Sequence, residues 1–224
     1  QITKDTILSR QNDKKELAKD RCIETMCKSE KFGILADGYI EDLENNKIEN
    51  KKLYNHYLDI LKTAEIDIFV IGDVKEETIK NMTLKYFNIE NRNYKPLKLD
   101  FVYKEKVREN TVIEKCNITQ GKLCIAFRSN IPANHKNFIP LLVGNEILGG
   151  GSGSMLFNNV REKQSLCYYI NSFIYMFKGI IFIESGVDVK QYEKAIKSIT
   201  ENVESIIKGN FNNDSIEIAK NSLC

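Results

Sequence analysis

Leu148-Gly149-Gly150-Gly151-Ser152-Gly153-Ser154-Met155-Leu156-Phe157-Asn158-Asn159-Val160-Arg161-Glu162-Lys163-Gln164-Ser165-Leu166-Cys167-Tyr168 is the stretch on which the reading of this 224-residue chain turns. Three consecutive glycines give a backbone that can take positive φ and approach other groups closely. The Ser-Gly-Ser that follows supplies a helix entry, because a serine hydroxyl accepts from the orphan N–H groups of a first turn. Met155, Leu156, Asn159 and Val160 then recur at helical spacing. Arg161 follows, and seven residues later Tyr168 stands at the start of an apolar strand. A glycine loop, a short helix, an arginine and a strand-borne tyrosine make a site-like arrangement. The glycine run by itself favours tight helix–strand packing without a ligand. A phosphate cradle would need a Gly-Lys-Ser/Thr that does not follow.

The flanks alternate helix and strand signals. Asp13 caps an expected helix over 13–28 whose stripe is Ala18, Cys22 and Met26. A two-glycine loop over 31–38 precedes a short helix at 39–44 and a longer one at 49–62, with Leu53, Tyr57, Ile60 and Leu61 on one side. Ile66–Ile71 is a compact apolar run ending in Gly72-Asp73, expected to be a buried strand before a helix at 75–86. Asn91–Lys98 is polar, carries Pro96, and is expected to be a linker. Extended segments are expected at 99–107, 111–117 and 122–128, the last half-buried, with Leu123, Ile125 and Phe127 alternating against Cys124, Ala126 and Arg128. A helix at 136–148 leads to the glycine loop. Strands at 165–176 and 179–185 form a hairpin turned at Phe177-Lys178-Gly179. The clearest helix spans 189–208 and ends at Gly209, and Asp214 caps a last one. A strand–Gly–helix unit occurs at 66–86 and again at 179–208, which fits either a duplicated domain or the common grammar of α/β packing.

Composition narrows the function classes. A hydrophobic share of 42% with 29% charged residues fits a soluble globular protein. Thirty-three basic against 31 acidic residues leave +2, which gives no case for a nucleic-acid partner or an anionic membrane. The locally basic stretch Lys104–Arg108 is interrupted by Glu105 and reads as solvated. No apolar run approaches the ~20 residues of a membrane span. Gln1 is not a natural start, so the sequence is expected to begin inside a longer chain. The six cysteines show no CxxC and no metal spacing; Cys22 and Cys27, five apart on one helix, fall on different faces. Reduced, buried thiols point to a reducing compartment, hence a cytoplasmic location.

The quoted stretch resembles the second-domain signature of the insulinase/pitrilysin peptidases, which include the processing peptidases. Gly149, Gly150, Gly151, Ser154, Leu156, Phe157, Val160, Arg161, Glu162, Lys163, Leu166 and Tyr168 match it, with Met155 standing where the family often has arginine. Phe32-Gly33 with Gly38, and Ile68-Phe69-Val70-Ile71-Gly72-Asp73-Val74, look like the later part of the family's first domain. Ser215–Lys220 looks like the helix-opening segment late in the second. The resemblance implies an α+β fold of two αβ domains, each a mainly antiparallel sheet packed with helices and both incomplete here. Residues 1–95 would be the C-terminal part of the first, and 96–224 the N-terminal and central part of the second.

The same resemblance implies a zinc site built on His-x-x-Glu-His, with the glutamate as general base. This chain holds only His56 and His135, neither in such a motif. A third ligand would fall near residue 10, but no glutamate precedes Glu16, and Glu16 and Glu24 read as helix faces. Zinc is therefore expected upstream in the parent protein, with no metal ligand and no cofactor in this chain. Glu146 and Glu162 lack partnered spacing, and no serine or cysteine has a base beside it. Arg161 and Tyr168 remain as the catalytic and substrate-binding candidates. The matching family residues face the zinc site across a chamber, where a guanidinium and a phenol can hold a peptide carbonyl and its developing oxyanion. The competing reading pairs Arg161 with Glu162 and packs Tyr168 in its strand. Two functions follow. One is an internal piece of a zinc metallopeptidase that contributes the Arg/Tyr wall. The other is a non-catalytic paralogue acting as partner subunit or peptide-binding scaffold. The expected partners are a peptide and a second peptidase-type subunit, identical or related.

Overall fold

The computed structural model describes residues 1–45, 48–87, 92–97 and 100–224. In chain order the elements are α1 (Ile2–Asn12), α2 (Lys14–Met26), α3 (Ile40–Glu44), α4 (Asn50–Thr63), α5 (Glu76–Tyr86), β1 (Gly121–Arg128), α6 (Phe138–Asn145), β2 (Cys167–Tyr175), β3 (Ile180–Val187), α7 (Tyr192–Ile207) and α8 (Asn213–Leu223). Two π-wound segments, Glu146–Gly150 and Phe157–Glu162, lie between α6 and β2. The chain divides into two compact units: Gln1–Gly38 with Asp100–Cys224, and Tyr39–Leu99.

The first unit is built on a three-stranded antiparallel sheet in the order β1-β3-β2. This mixed architecture, a small antiparallel sheet packed with helices, is the expected fold class. β2 and β3 are the expected hairpin, and Gly179 takes φ +58 at its turn, where a side chain would be strained. β3 is central and covered on both sides, which explains its unbroken run Ile180-Ile181-Phe182-Ile183. One face carries Ile183 and Val187 into a cluster with Ile170, Leu148, Leu156, Val160, Ala195 and Ile199. The other carries Ile180 and Phe182 into a cluster with Ile23 and Cys27 of the N-terminal segment. Phe182 is fully buried, stacked on Phe173 at 5.5 Å and edge-on to Tyr175 at 5.4 Å.

β1 departs from its expected half-buried state. Leu123, Ile125 and Phe127 pack on the first cluster, while Cys124 and Ala126 pack on the second. α2 covers the face that alternation assigned to solvent. Small, weakly polar residues suit that tight helix-on-sheet contact. Cys22 of α2 meets Cys124 thiol to thiol across this contact, so Cys22 faces the sheet as Cys27 also does.

Asp13 caps α2, its Oδ1 accepting from the backbone N–H of Lys15 at 2.9 Å and of Glu16 at 3.3 Å. α1 was not legible as a helix, because Ile7 is its single buried residue and no apolar stripe marks it. A side-chain pair anchors it instead: Arg10 donates through Nε (2.6 Å) and Nη2 (2.7 Å) to the buried carboxylate of Asp20. α7 runs as expected to Gly209, at φ +74. The cap of α8 is Asn212 rather than Asp214: the Asn212 side chain accepts from the Asp214 N–H at 3.2 Å.

The second unit holds α3, α4 and α5 close to their expected limits. The expected strand 66–71 is not one. It forms no ladder, and Phe69 is 89% exposed. A strand exists only where a neighbour accepts its N–H and C=O groups, and no described segment does so here. The described part of the expected linker folds back on α4, with Asn93 and Lys95 N–H donating to the Lys62 and Thr63 carbonyls at 3.0 and 2.9 Å. Asn91 and Lys98 lie outside the described residues, as does position 99. The segments 100–107 and 111–117, expected to be extended, likewise carry no ladder.

Candidate functional site

The glycine run does not use positive φ. Gly149 sits at φ −157, and none of the three glycines is left-handed. Its role is close approach. A Cβ on Gly149 would lie 2.6 Å from Ser172 Oγ and 2.8 Å from Ser172 N on β2. Beside it, Asn145 Nδ2 donates to the Ser172 carbonyl at 3.3 Å, and Ser172 Oγ donates to the Asn145 carbonyl at 3.2 Å. The loop is thereby locked to the strand that carries the tyrosine, as the packing reading of the glycines expects.

Ser154 opens the helix that bears the arginine. It is buried, its carbonyl accepts from Asn158 N–H at 3.0 Å, and its hydroxyl accepts from Phe157 N–H at 3.4 Å. Leu156 and Val160 fill the core, so Phe157 and Arg161 are turned away from it. The segment Phe157–Glu162 is π-wound, with Lys163 N–H donating to the Asn158 carbonyl five residues back. A wide bond closes it, Leu166 N–H reaching the Val160 carbonyl six residues back at 3.1 Å, beside an ordinary four-residue bond from Ser165 N–H to the Arg161 carbonyl at 3.0 Å. Ser165 holds φ +51, a left-handed conformation that costs a non-glycine residue free energy.

The connection delivers the chain into β2 through a bulge. Cys167 pairs with Val187 and Tyr169 pairs with Gly186, so Tyr168 has no partner in the ladder. Simple alternation would put Tyr168 on the face of Leu166 and Ile170, which are buried. The bulge releases it, and Tyr168 is 63% exposed. Arg161 is 40% exposed at its side chain, its Cζ 4.6 Å above the Phe157 ring centroid and its Nε 3.7 Å from Glu162 Oε1. Burial pushes the Cys167 thiol up, and a hydrogen bond with Ser185 and then the Arg161 charge pull it partly back. Helix, turn and bulge leave a cation and a phenol accessible on one short stretch, both able to donate to an extended peptide's carbonyls.

Sequence reasoning missed two parts of this arrangement. The bulge depends on the register of β3, and the π winding keeps a helical apolar pattern. No local signal separates either from its regular counterpart.

The residues do not fit a zinc ion. Among the described residues no group of three or more His, Cys, Asp or Glu side chains could hold a metal. His56 is exposed on α4, and His135 Nδ1 accepts from Asn137 N–H at 3.1 Å in the turn before α6. Glu16 pairs with Lys19 at 2.6 Å and Glu24 with Arg21 at 2.7 Å. No described helix is long and apolar enough to cross a membrane.

The family description "Peptidase M16 inactive domain" matches residues 47–223. The chain is 34% identical over 209 residues to the "Probable inactive metalloprotease YmfF" of Bacillus subtilis (strain 168), covering 93% of this chain and 48% of that protein. It is 24% identical over 188 residues to the "Uncharacterized zinc protease YmxG" of the same organism, covering 83% and 44%. Among solved structures, a conserved protein from Enterococcus faecalis V583 superposes with a TM-score of 0.83 at 27% identity, covering 99% of this chain and 52% of that one. A peptidase M16 inactive domain from Pseudomonas fluorescens gives 0.76 at 17% identity, covering 99% and 53%. The chain spans about half the length of the curated relatives it matches.

Proposed function

The chain belongs to the peptidase M16 family, as an inactive-type domain, and from that premise we propose that it supplies a peptide-facing wall, with Arg161 and Tyr168 as its donors, in a non-catalytic peptidase-like protein. The observation that carries this is the bulge at Tyr168. Without the bulge Tyr168 would share the buried face of Leu166 and Ile170; with it the phenol stands exposed, where it can reach a ligand. Arg161 and Tyr168 hold an extended peptide by its carbonyls, and the parent protein acts as a partner subunit, or as a scaffold, for an identical or related peptidase-type subunit. The name of the 34%-identical relative, a probable inactive metalloprotease, supports the non-catalytic form. Six free thiols suit a reducing, cytoplasmic setting.

A second reading is favoured by the Arg161/Tyr168 pair itself, which a pure scaffold does not need. There the parent is a zinc peptidase whose metal motif lies upstream, and the same two side chains steady the oxyanion of peptide hydrolysis. One experiment separates the readings and tests both. The full-length protein is dialysed, its zinc is quantified, and a fluorescein-labelled β-casein fragment is titrated by anisotropy and followed for cleavage. Binding without stoichiometric zinc or cleavage is the expected result. Zinc with cleavage would establish the second reading. No binding, or binding indifferent to both Arg161→Ala and Tyr168→Phe, would reject the wall.

A further inference from the structure

Phe157 stands apart from its helix neighbours. Leu156 and Val160 are fully buried, but Phe157 is half-buried and belongs to neither apolar cluster. An aromatic ring left out of both cores has another use, and its contact is the guanidinium of Arg161, 4.6 Å from its centroid. That contact covers one face of the guanidinium. Its ion pair is with the adjacent Glu162, at 3.7 Å, with both side chains largely in solvent. A pair of that kind holds a long side chain weakly.

The spacing of the two residues makes the stack. In an α-helix of about 3.6 residues per turn, positions i and i+4 share a face but are offset around the axis. Phe157 and Arg161 are four apart and both lie in the π-wound segment Phe157–Glu162. The ring and the guanidinium therefore meet on one helix face. An arginine stacked on a ring keeps its in-plane N–H groups pointing outward, free to donate, while one face is covered.

We propose that Phe157 is a positioning residue, whose ring, four residues before Arg161 on the same helix face, holds the Arg161 guanidinium in the plane from which it donates to a bound peptide. This rests on the peptide-wall reading of Arg161, and the test keeps the two apart. In the full-length protein, anisotropy titrations with the fluorescein-labelled β-casein fragment compare Arg161→Ala, Phe157→Leu, Phe157→Tyr and the double variant Phe157→Leu/Arg161→Ala. Arg161→Ala is expected to weaken binding roughly ten-fold or more, the loss of a charged hydrogen-bond donor. Phe157→Leu, which keeps apolar bulk but removes the ring, is expected to weaken it about two- to five-fold. Phe157→Tyr, which keeps the ring, is expected to stay at the wild-type value. In the Arg161→Ala background, Phe157→Leu is expected to add nothing, because its effect passes through the guanidinium.

A direct readout accompanies the titrations. The Arg161 Nε–H proton, observed by ¹⁵N NMR, is expected to carry a ring-current shift that Phe157→Leu removes and Phe157→Tyr keeps. A merely structural Phe157 would not produce this pattern. If Arg161→Ala weakens binding but Phe157→Leu does not, or if the two losses add, positioning is overturned and the peptide wall stands. If Arg161→Ala leaves binding unchanged, both fall. Thermal melting of each variant identifies any loss that comes from unfolding, and a folded Phe157→Leu protein whose Arg161 proton does not move also overturns the proposal.

Discussion

Two apolar runs of nearly the same composition have opposite fates in this molecule. Ile180-Ile181-Phe182-Ile183 is the central strand of a sheet, paired on both edges and covered on both faces. Ile66-Asp67-Ile68-Phe69-Val70-Ile71 is an exposed segment with no ladder. Side-chain hydrophobicity does not separate them. The difference lies in the backbone: the first run has strands at hydrogen-bonding distance on either side, and the second has none among the described residues. Apolar sequence creates a demand for burial, and only a partner's N–H and C=O groups turn it into a strand.

The largest expected effect breaks that comparison most directly. Phe182→Ala should destabilise the sheet unit by about 3–5 kcal/mol, because it empties a fully enclosed site between stacked rings. Phe69→Ala, at an exposed ring, should change stability by no more than about 0.5 kcal/mol. Urea denaturation of both variants measures the contrast. Equal losses would mean that 66–71 is buried in solution.

The two units also differ in their glycines. Gly149→Ala should cost about 1–3 kcal/mol, since the new methyl meets the Ser172 backbone and hydroxyl. Gly72→Ala has nothing within 4 Å of its Cβ and no left-handed φ, so it should be neutral or slightly stabilising. Paired melting curves decide this, and a neutral Gly149→Ala would remove close approach as the reason for the glycine run.

A smaller contrast lies at the helix starts. Asp13→Ala should lose about 1 kcal/mol with the cap of α2. Glu49→Ala at the start of α4, where no side-chain cap exists, should lose little. Amide exchange of Lys15 and Glu16 locates the first effect.

The smallest effect is a titration. Burial first, then the charges of Glu184 and Asp13, push the Tyr169 phenol up to about 12 from an ordinary 10.0. The raised folded value favours the neutral phenol, so its contribution to stability is complete below pH 10 and is lost as pH rises through 12. Tyrosinate absorbance should show a component near pH 12 that Tyr169→Phe removes. Its persistence in the variant would assign it elsewhere.

Much of the fold and of the candidate site was legible before any coordinates. The hairpin announced itself by two apolar runs around Phe177-Lys178-Gly179, α7 by its period, and α2 by Asp13. The block from Gly149 to Tyr168 marked Arg161 and Tyr168 as candidates through its resemblance to a peptidase signature. Other features left no mark. α1 has no apolar stripe, because an ion pair to Asp20 holds it. β1 looked half-exposed, because the helix covering its second face comes from far away in the chain. Segments 66–71, 100–107 and 111–117 carry strand-like residues but no ladder.

Local sequence determined what depends on neighbours along the chain: turn glycines, helix caps, the period of α7, and the order arginine, turn, tyrosine. The tertiary structure decided what depends on a partner strand or on the winding of a turn. A one-residue slip of β2 against β3 brought Tyr168 out of a face that alternation would bury, and the turn after Arg161 closed with a six-residue bond from Leu166 to Val160. Register and winding are set by pairings between distant backbone groups, and no local run of side chains encodes them.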